Sequence, residues 1–220
     1  MPVALPILSS TLFKNILPKK AMNRSAKKEL IRKKLLEKRR SMVFETVYEL
    51  SLRAQQRLLG TSLFRDANRV CLYCSFQNEV LTDEVFEKAR GLGKEVFYPR
   101  VVASGAKRML GFFRVHGLEE LTPGAYEIPE PDSGAELVGP EGFDLIVVPG
   151  VAFDERGGRL GFGKGYYDMA LKGAGGRLVA LAYEFQVLKK EEIPVEPHDV
   201  TLSVIVTDER VIETGYKAGQ

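Results

Sequence analysis

Residues 143–150 read Phe-Asp-Leu-Ile-Val-Val-Pro-Gly, and no other stretch narrows the possible folds as much. Apolar side chains on consecutive positions must be buried on both faces, which is the situation of a central parallel strand covered on either side. Pro149-Gly150 ends the run where such a strand must stop. A parallel strand needs crossover partners, and the chain offers them. Arg69–Phe76, Leu178–Ala182 and Leu202–Val206 read as further buried strands, Met109–Val115 as another, and Glu95–Tyr98 as a short one broken by Pro99. Helical spacing appears between them. Ser25 is placed to cap a helix from about Ala26, whose Leu30, Ile31, Leu35 and Leu36 form an apolar stripe opposite Lys27, Lys28, Arg32, Lys34, Lys38 and Arg39. A second helix runs from about Phe44 to Leu59 with Gly60 as its stop, and a third follows Thr82 and ends at Gly91 or Gly93. Gly117–Gly142 reads as a loop rich in Gly and Pro.

Strands alternating with helices predict an α/β protein: a single three-layer domain with a mostly parallel central sheet covered by helices on both faces. Its expected limits are residues 25 and 210, with 211–220 a tail. Met1–Lys28 holds no acidic residue, and its uncharged start is broken by Pro2 and Pro6. Together with a second methionine at position 22, this makes residues 1–24 an expected disordered leader or over-extended start rather than a targeting peptide, so the expected location is cytoplasmic.

Charge and cysteine content remove several function classes. Two cysteines among 220 residues exclude a disulfide scaffold, and no stretch approaches the apolar length of a membrane span. Cys71 and Cys74 form a C-x-x-C within a strand pattern, which puts their Cα atoms about 10 Å apart and on opposite faces. With only His116 and His198 available, a zinc site is not expected, and no serine sits in a nucleophile elbow. The net charge of +3 hides a split: residues 1–40 carry twelve Lys/Arg against two Glu, and the remainder is net −7. The basic segment therefore calls for an anion.

A place for one follows the central strand. Gly157, Gly158, Gly161, Gly163 and Gly165 lie between Asp154 and a short helix from Tyr166, with Arg159 and Lys164 among them. Backbone amides freed by glycine, two cations and a helix start at the carboxyl end of a parallel strand make a cradle for a polyphosphate. Gly158–Lys164 meets the Gly-x-x-x-x-Gly-Lys part of a P-loop, but Gly165 stands where a P-loop ligates magnesium through Ser or Thr. Asp168 and Asp199 are candidate carboxylate ligands instead. Glu79, in a loop after the first strand, is placed to accept hydrogen bonds from a donor-rich heterocycle. Lacking a protein nucleophile, the chain suits a reaction activated by ATP. Two other readings stay open at this level: a P-loop-like phosphotransferase acting on a small metabolite, and a nucleic-acid-binding module built on the basic first helix.

The block Phe153-Asp-x-x-Gly-x-Arg-Leu-Gly-x-Gly-x-Gly-Tyr-Tyr-Asp168 after Pro149-Gly150 resembles the 5-formyltetrahydrofolate cyclo-ligase family, also called 5,10-methenyltetrahydrofolate synthetases. The similarity extends from Lys27 to Thr207 through Lys28-Glu-Leu-Ile-Arg32, Ser75-Phe-Gln-Asn-Glu79, Tyr98-Pro-Arg100, Tyr126-Glu-Ile-Pro129 and His198-Asp199. It implies cyclisation of 5-formyltetrahydrofolate to 5,10-methenyltetrahydrofolate, driven by ATP and Mg2+, through phosphorylation of the formyl oxygen. By the same resemblance Lys28, Arg32 and the run Arg159, Leu160, Gly161, Phe162, Gly163, Lys164, Gly165, Tyr166, Tyr167 bind ATP, with Arg159 and Lys164 catalytic. Cys74, Glu79, Tyr126, Phe162 and Tyr166 contact the folate, and Asp168 and Asp199 hold the magnesium. The implied partners are the folate and ATP, with neither nucleic acid nor membrane. Two positions depart from the pattern: Phe162 stands where some members carry Arg or Tyr, and Ser203 where many carry Asp.

Overall fold

The structure is a computed structural model that describes residues 23–104, 107–188, 193–194, 196 and 199–215. The expected leader lies outside the described residues except for its last two positions, and so does His198. In chain order the elements are α1 (Arg24–Arg40), α2 (Phe44–Leu59), α3 (Ser62–Asp66), β1 (Arg69–Cys71), α4 (Asp83–Gly91), β2 (Glu95–Ser104) and β3 (Lys107–Arg114). There follow β4 (Thr122–Pro123), β5 (Pro129–Glu130), β6 (Leu137–Val138), β7 (Leu145–Val148), β8 (Ala152–Asp154) and β9 (Arg159–Leu160). The last are α5 (Tyr166–Ala170), β10 (Arg177–Ala182), β11 (Val187–Leu188), β12 (Val204–Thr207) and β13 (Val211–Glu213).

The main sheet has the order β13-β12-β10-β7-β1-β2-β3-β6. Its centre, β12 to β2, is parallel, and β13, β3 and β6 join antiparallel at the edges. The consecutive apolar residues of β7 divide as a central strand requires. Leu145 and Val147 enter a core with Ala54 and Leu58 of α2 and Val85, Phe86 and Ala89 of α4, while Ile146 and Val148 enter a second core with Phe143, Phe153 and Ala170 of α5. One face of the sheet is thus helical. The other is covered by short α5 together with a small sheet of order β11-β8-β9, onto which α1 packs through Leu35, Leu160 and Ile193.

Several expected boundaries move, each for a visible reason. Asn23 rather than Ser25 caps α1, accepting from the Ala26 amide at 2.7 Å. β1 stops at Cys71 because side chains take over its backbone: Thr82 Oγ1 donates to the Tyr73 carbonyl and the Tyr73 hydroxyl to that of Val80. β2 continues through Pro99 to Ser104. Pro99 lies on the side facing β1 and has no N–H to offer the Leu72 carbonyl, so pairing with β1 ends there while pairing with β3 on the other side continues. Residues 211–213, expected in a tail, form β13 against β12. The stretch 154–165, expected to be one glycine loop, is a hairpin (β8 and β9) followed by a short loop.

The expected inward and outward faces of α1 need the largest correction. Leu30 is 57% exposed, whereas Arg39, assigned to the solvated face, is 1% exposed. Ile31, Leu35 and Leu36 face the protein as expected, and Lys28, Arg32 and Arg39 join them on the inward side. These cations reach inward because Arg32 and Arg39 end on backbone carbonyls and Lys28 on carboxylates beside the apolar contacts.

Candidate active site

The carboxyl ends of β1 and β7 open into a cavity of about 870 Å³. This is where ligands bind in parallel sheets. All of Lys28, Arg32, Cys74, Glu79, Tyr126, Arg159, Leu160, Gly161, Phe162, Gly163, Lys164, Gly165, Tyr166, Tyr167, Asp168 and Asp199 line it. They come from five separate parts of the chain.

The glycine-rich segment is held in shape by Asp154, a buried carboxylate that the sequence did not single out. Its Oδ1 accepts from the amides of Gly158 (2.9 Å) and Arg156 (3.1 Å), and its Oδ2 from that of Ile193 (2.7 Å). Gly157 beside it has φ +88°, and a Cβ there would stand 2.3 Å from the Leu202 carbonyl oxygen, so only glycine fits. Past the hairpin, Gly165 in the left-handed region starts α5, whose five residues leave little macrodipole to aid a phosphate. The cations must supply most of the attraction.

Those cations are already engaged. Arg159 Nη2 donates to Asp168 Oδ1 at 2.6 Å and Nη1 to the Pro149 carbonyl at 3.3 Å, and its guanidinium lies 5.7 Å from the Tyr167 ring centre. Lys28 Nζ stands 3.1 Å from Glu196 Oε1 and 3.6 Å from Asp199 Oδ2. Arg32 Nε donates to the Gly161 carbonyl at 2.9 Å and tethers α1 to the loop. Lys164 is exposed at the rim. Among the described residues, no group of three or more His, Cys, Asp or Glu side chains is gathered for a metal. Asp168 and Asp199 nevertheless fit magnesium, which takes one or two carboxylates and completes its shell with substrate phosphates and water. The Val200 amide, 3.3 Å from Asp168 Oδ1, fastens the two acidic positions to each other.

The opposite wall is apolar with isolated polar groups. Cys74 is half-buried, and burial pushes its thiol up to about 12, so it is a neutral contact rather than a nucleophile. Glu79 is buried. Desolvation pushes its carboxyl up to about 7, against the pull of Arg39, whose Nη1 is 3.6 Å from Oε1, and of the Phe76 amide, 3.1 Å from Oε2. Tyr126 projects from a turn in the left-handed region (φ 60°), and its hydroxyl lies 3.3 Å from that of Tyr166 across the mouth. That hydrogen bond lowers the Tyr126 pKa. The loop before Glu79 is constrained likewise: Gln77 (φ 48°) and Asn78 (φ 57°) are both left-handed. Such paired outliers facing one cavity are backbone strain held in place by surrounding contacts. The Phe76 and Phe162 rings, 6.1 Å apart, join this loop to the glycine-rich one.

Sequence reasoning missed Arg39, Asp154 and Glu130, a second buried carboxylate in the wall whose Oε1 accepts from the Val101 amide at 3.2 Å. The signal for Arg39 was its seven-residue distance from Arg32, two turns along the same face. Ser203, one of the departing positions, is buried with no hydrogen-bond partner for its Oγ among the described residues.

Comparison with known proteins adds independent findings. The sequence model of the 5-formyltetrahydrofolate cyclo-ligase family matches residues 24–208. A relative from Escherichia coli K12 named 5-formyltetrahydrofolate cyclo-ligase is 32% identical over 181 residues, 80% of this chain and 98% of its own length. One of the same name from Mus musculus is 30% identical, covering 84% of this chain and 95% of its own. Among solved structures, a 5,10-methenyltetrahydrofolate synthetase from Aquifex aeolicus superposes with a TM-score of 0.75 at 37% identity, covering 88% of this chain and 95% of that one.

Proposed function

This chain belongs to the 5-formyltetrahydrofolate cyclo-ligase family, and we propose that it uses ATP to cyclise 5-formyltetrahydrofolate to 5,10-methenyltetrahydrofolate, releasing ADP and phosphate. The observation that carries this reading is the composition of the cavity: a glycine-rich wall with Arg159 and Lys164, joined by Lys28 and Arg32 of α1, faces an apolar wall with the buried carboxylates of Glu79 and Glu130. A triphosphate suits the first and a pterin suits the second.

Lys28, Arg32, Arg159 and Lys164 bind the phosphates, and the segment Arg159–Tyr167 holds the nucleotide. Glu79 accepts hydrogen bonds from the pterin ring, Tyr126 stacks on it, and Cys74, Phe162 and Tyr166 enclose the formyl end. The formyl oxygen attacks the γ-phosphorus as ADP leaves. The second folate nitrogen then closes the ring and expels phosphate. Arg159 and Lys164 stabilise the charge on the transferred group, and no side chain forms a covalent bond. Asp168 and Asp199 would hold Mg2+, which when bound neutralises phosphate charge. Before nucleotide arrives, Arg159 and Lys28 balance these two carboxylates, so none of the four charges is buried alone.

The test is direct. Purified protein with 5-formyltetrahydrofolate, ATP and magnesium is expected to develop the methenyl chromophore, and omission of any of the three abolishes it. Folded protein that produces no absorbance change with all three present defeats the reading.

A further inference from the structure

We propose that Arg39 is a positioning residue for the folate wall: its buried guanidinium favours the ionised form of the Glu79 carboxylate, turns it toward the cavity, and ties it to the glycine-rich loop. This rests on the reading of Glu79 as the pterin acceptor. Arg39 does not line the cavity; it sits behind the wall, in the last turn of α1.

Five contacts define its place. Nε donates to the Gln77 carbonyl at 2.8 Å, and Nη1 donates to the Gly150 carbonyl at 3.2 Å and stands 3.6 Å from Glu79 Oε1. The Asn78 side-chain amide donates back to the Arg39 carbonyl at 3.0 Å. Finally the guanidinium lies 5.4 Å from the ring centre of Phe162, in the glycine-rich loop. One side chain therefore meets the strained Gln77–Asn78 turn, the end of β7, Glu79 and the nucleotide loop. Nη2 has no hydrogen-bond partner among the described residues. A buried cation left partly unsatisfied is costly, and a nonpolar residue would fill the space at lower cost if packing were the only need.

What Arg39 supplies is charge beside Glu79. Facing that carboxylate are Arg39 from α1, the Phe76 amide from its own loop, and the phenols of Tyr73, Tyr167 and Tyr183. The phenols are neutral, so Arg39 is the cation in this group. Desolvation already lifts the Glu79 carboxyl to about 7, and Arg39 opposes that rise. Without it, the carboxyl would be protonated at neutral pH. It would then present an O–H where the folate needs an acceptor.

The experiment compares wild type with Arg39→Gln, whose amide nitrogen falls where Nε stood and can still donate to the Gln77 carbonyl, but which loses the charge and the reach to Gly150. Two readouts are taken: the Glu79 titration midpoint from carboxyl NMR of the free protein, and the acid limb of kcat/KM for the folate. Both are expected to move up together by about one pH unit or more, the low end of what one adjacent opposite charge does. Arg39→Lys, which keeps the charge, should leave both close to wild type. In a Glu79→Gln background, Arg39→Gln should change folate kcat/KM by less than about twofold, because coupled residues lose their effects together. An unmoved Glu79 midpoint in Arg39→Gln, or an equal loss in the Glu79→Gln background, overturns the proposal. If Arg39→Gln does not fold, Arg39→Met, which fills the buried site without a charge, decides: an upward shift of the Glu79 midpoint supports the role, and an unmoved midpoint refutes it. Failure of wild type to make product would sink the proposed reaction, while the NMR midpoint would still judge Arg39.

Discussion

Single side chains carry most of the chemistry argued here, and two can be tested alone. Lys164 stands at the rim of the cavity, where in the proposed reaction it meets the developing phosphoryl charge. Lys164→Ala is expected to lower turnover by at least about 100-fold, measured by methenyl absorbance, with little change in melting temperature. Glu79 has a stability signature of its own. Its folded pKa, about 7, lies above the ordinary 4.5, so the folded state holds the proton more tightly. Its contribution is thus fully present below about pH 4.5 and lost as pH rises toward 7. Glu79→Gln should match wild-type melting near pH 4.5 and exceed it at pH 8; a constant difference across that range would count against the buried, raised carboxyl. At this scale the sequence was generous with the groups that line the cavity, since Lys28, Glu79, Arg159 and Asp168 sit in motifs. It was silent on those that act from behind. Arg39 is one of several cations in α1, and only the tertiary fold tells which of them is buried.

At the scale of elements, hydrophobic periodicity located the strands and helices well wherever burial dictates the pattern. α2 runs from Phe44 to Leu59 as the spacing predicts, and β7 is where a doubly buried strand was expected. The errors fall where side chains replace ladder bonds or where an edge forgives a proline, as at Tyr73 and Pro99. Neither circumstance leaves a trace in local sequence. The hairpin of β8 and β9 was read only as glycines, because its anchor is one carboxylate, Asp154, contacting amides up to 39 residues away. Glycine substitutions separate the two kinds of position. Gly157→Ala forces a Cβ against the Leu202 carbonyl at positive φ and should cost at least about 2 kcal/mol, or roughly 4–8 °C in melting temperature. Gly91→Ala, at the end of α4 with nothing within 4 Å of the added Cβ, should be neutral or slightly stabilising in the same melt. Equal effects at both sites would mean that the hairpin is not rigid.

For the whole molecule, the parallel sheet and the split charge point to the same arrangement. The basic N-terminal segment finds its use in α1, which brings Lys28 and Arg32 to a cavity formed by later strands, so its excess charge needs no nucleic acid to explain it. Both cores share every central strand, and the molecule should therefore melt in one cooperative transition. ATP with magnesium at about 100 times its Kd should raise that transition by roughly 5–10 °C. Two resolved transitions in calorimetry would instead divide the chain into separately stable parts.

The manner in which α1 is held also bears on the order of events during synthesis. Arg32 bonds a carbonyl 129 residues further along the chain, and Lys28 a carboxylate 168 residues further. The first described helix to leave the ribosome thus lacks most of its docking surface until the β8–β9 hairpin has emerged, and its Lys28 contacts wait for Glu196 and Asp199. For most of translation it is a free basic helix, and contacts of such long sequence separation close late and slowly. Because Lys28 rides on that helix and is held by Glu196 and Asp199, a nascent or truncated chain lacking the residues near 196 can fold most of its sheet and still leave that cation unanchored at the cavity.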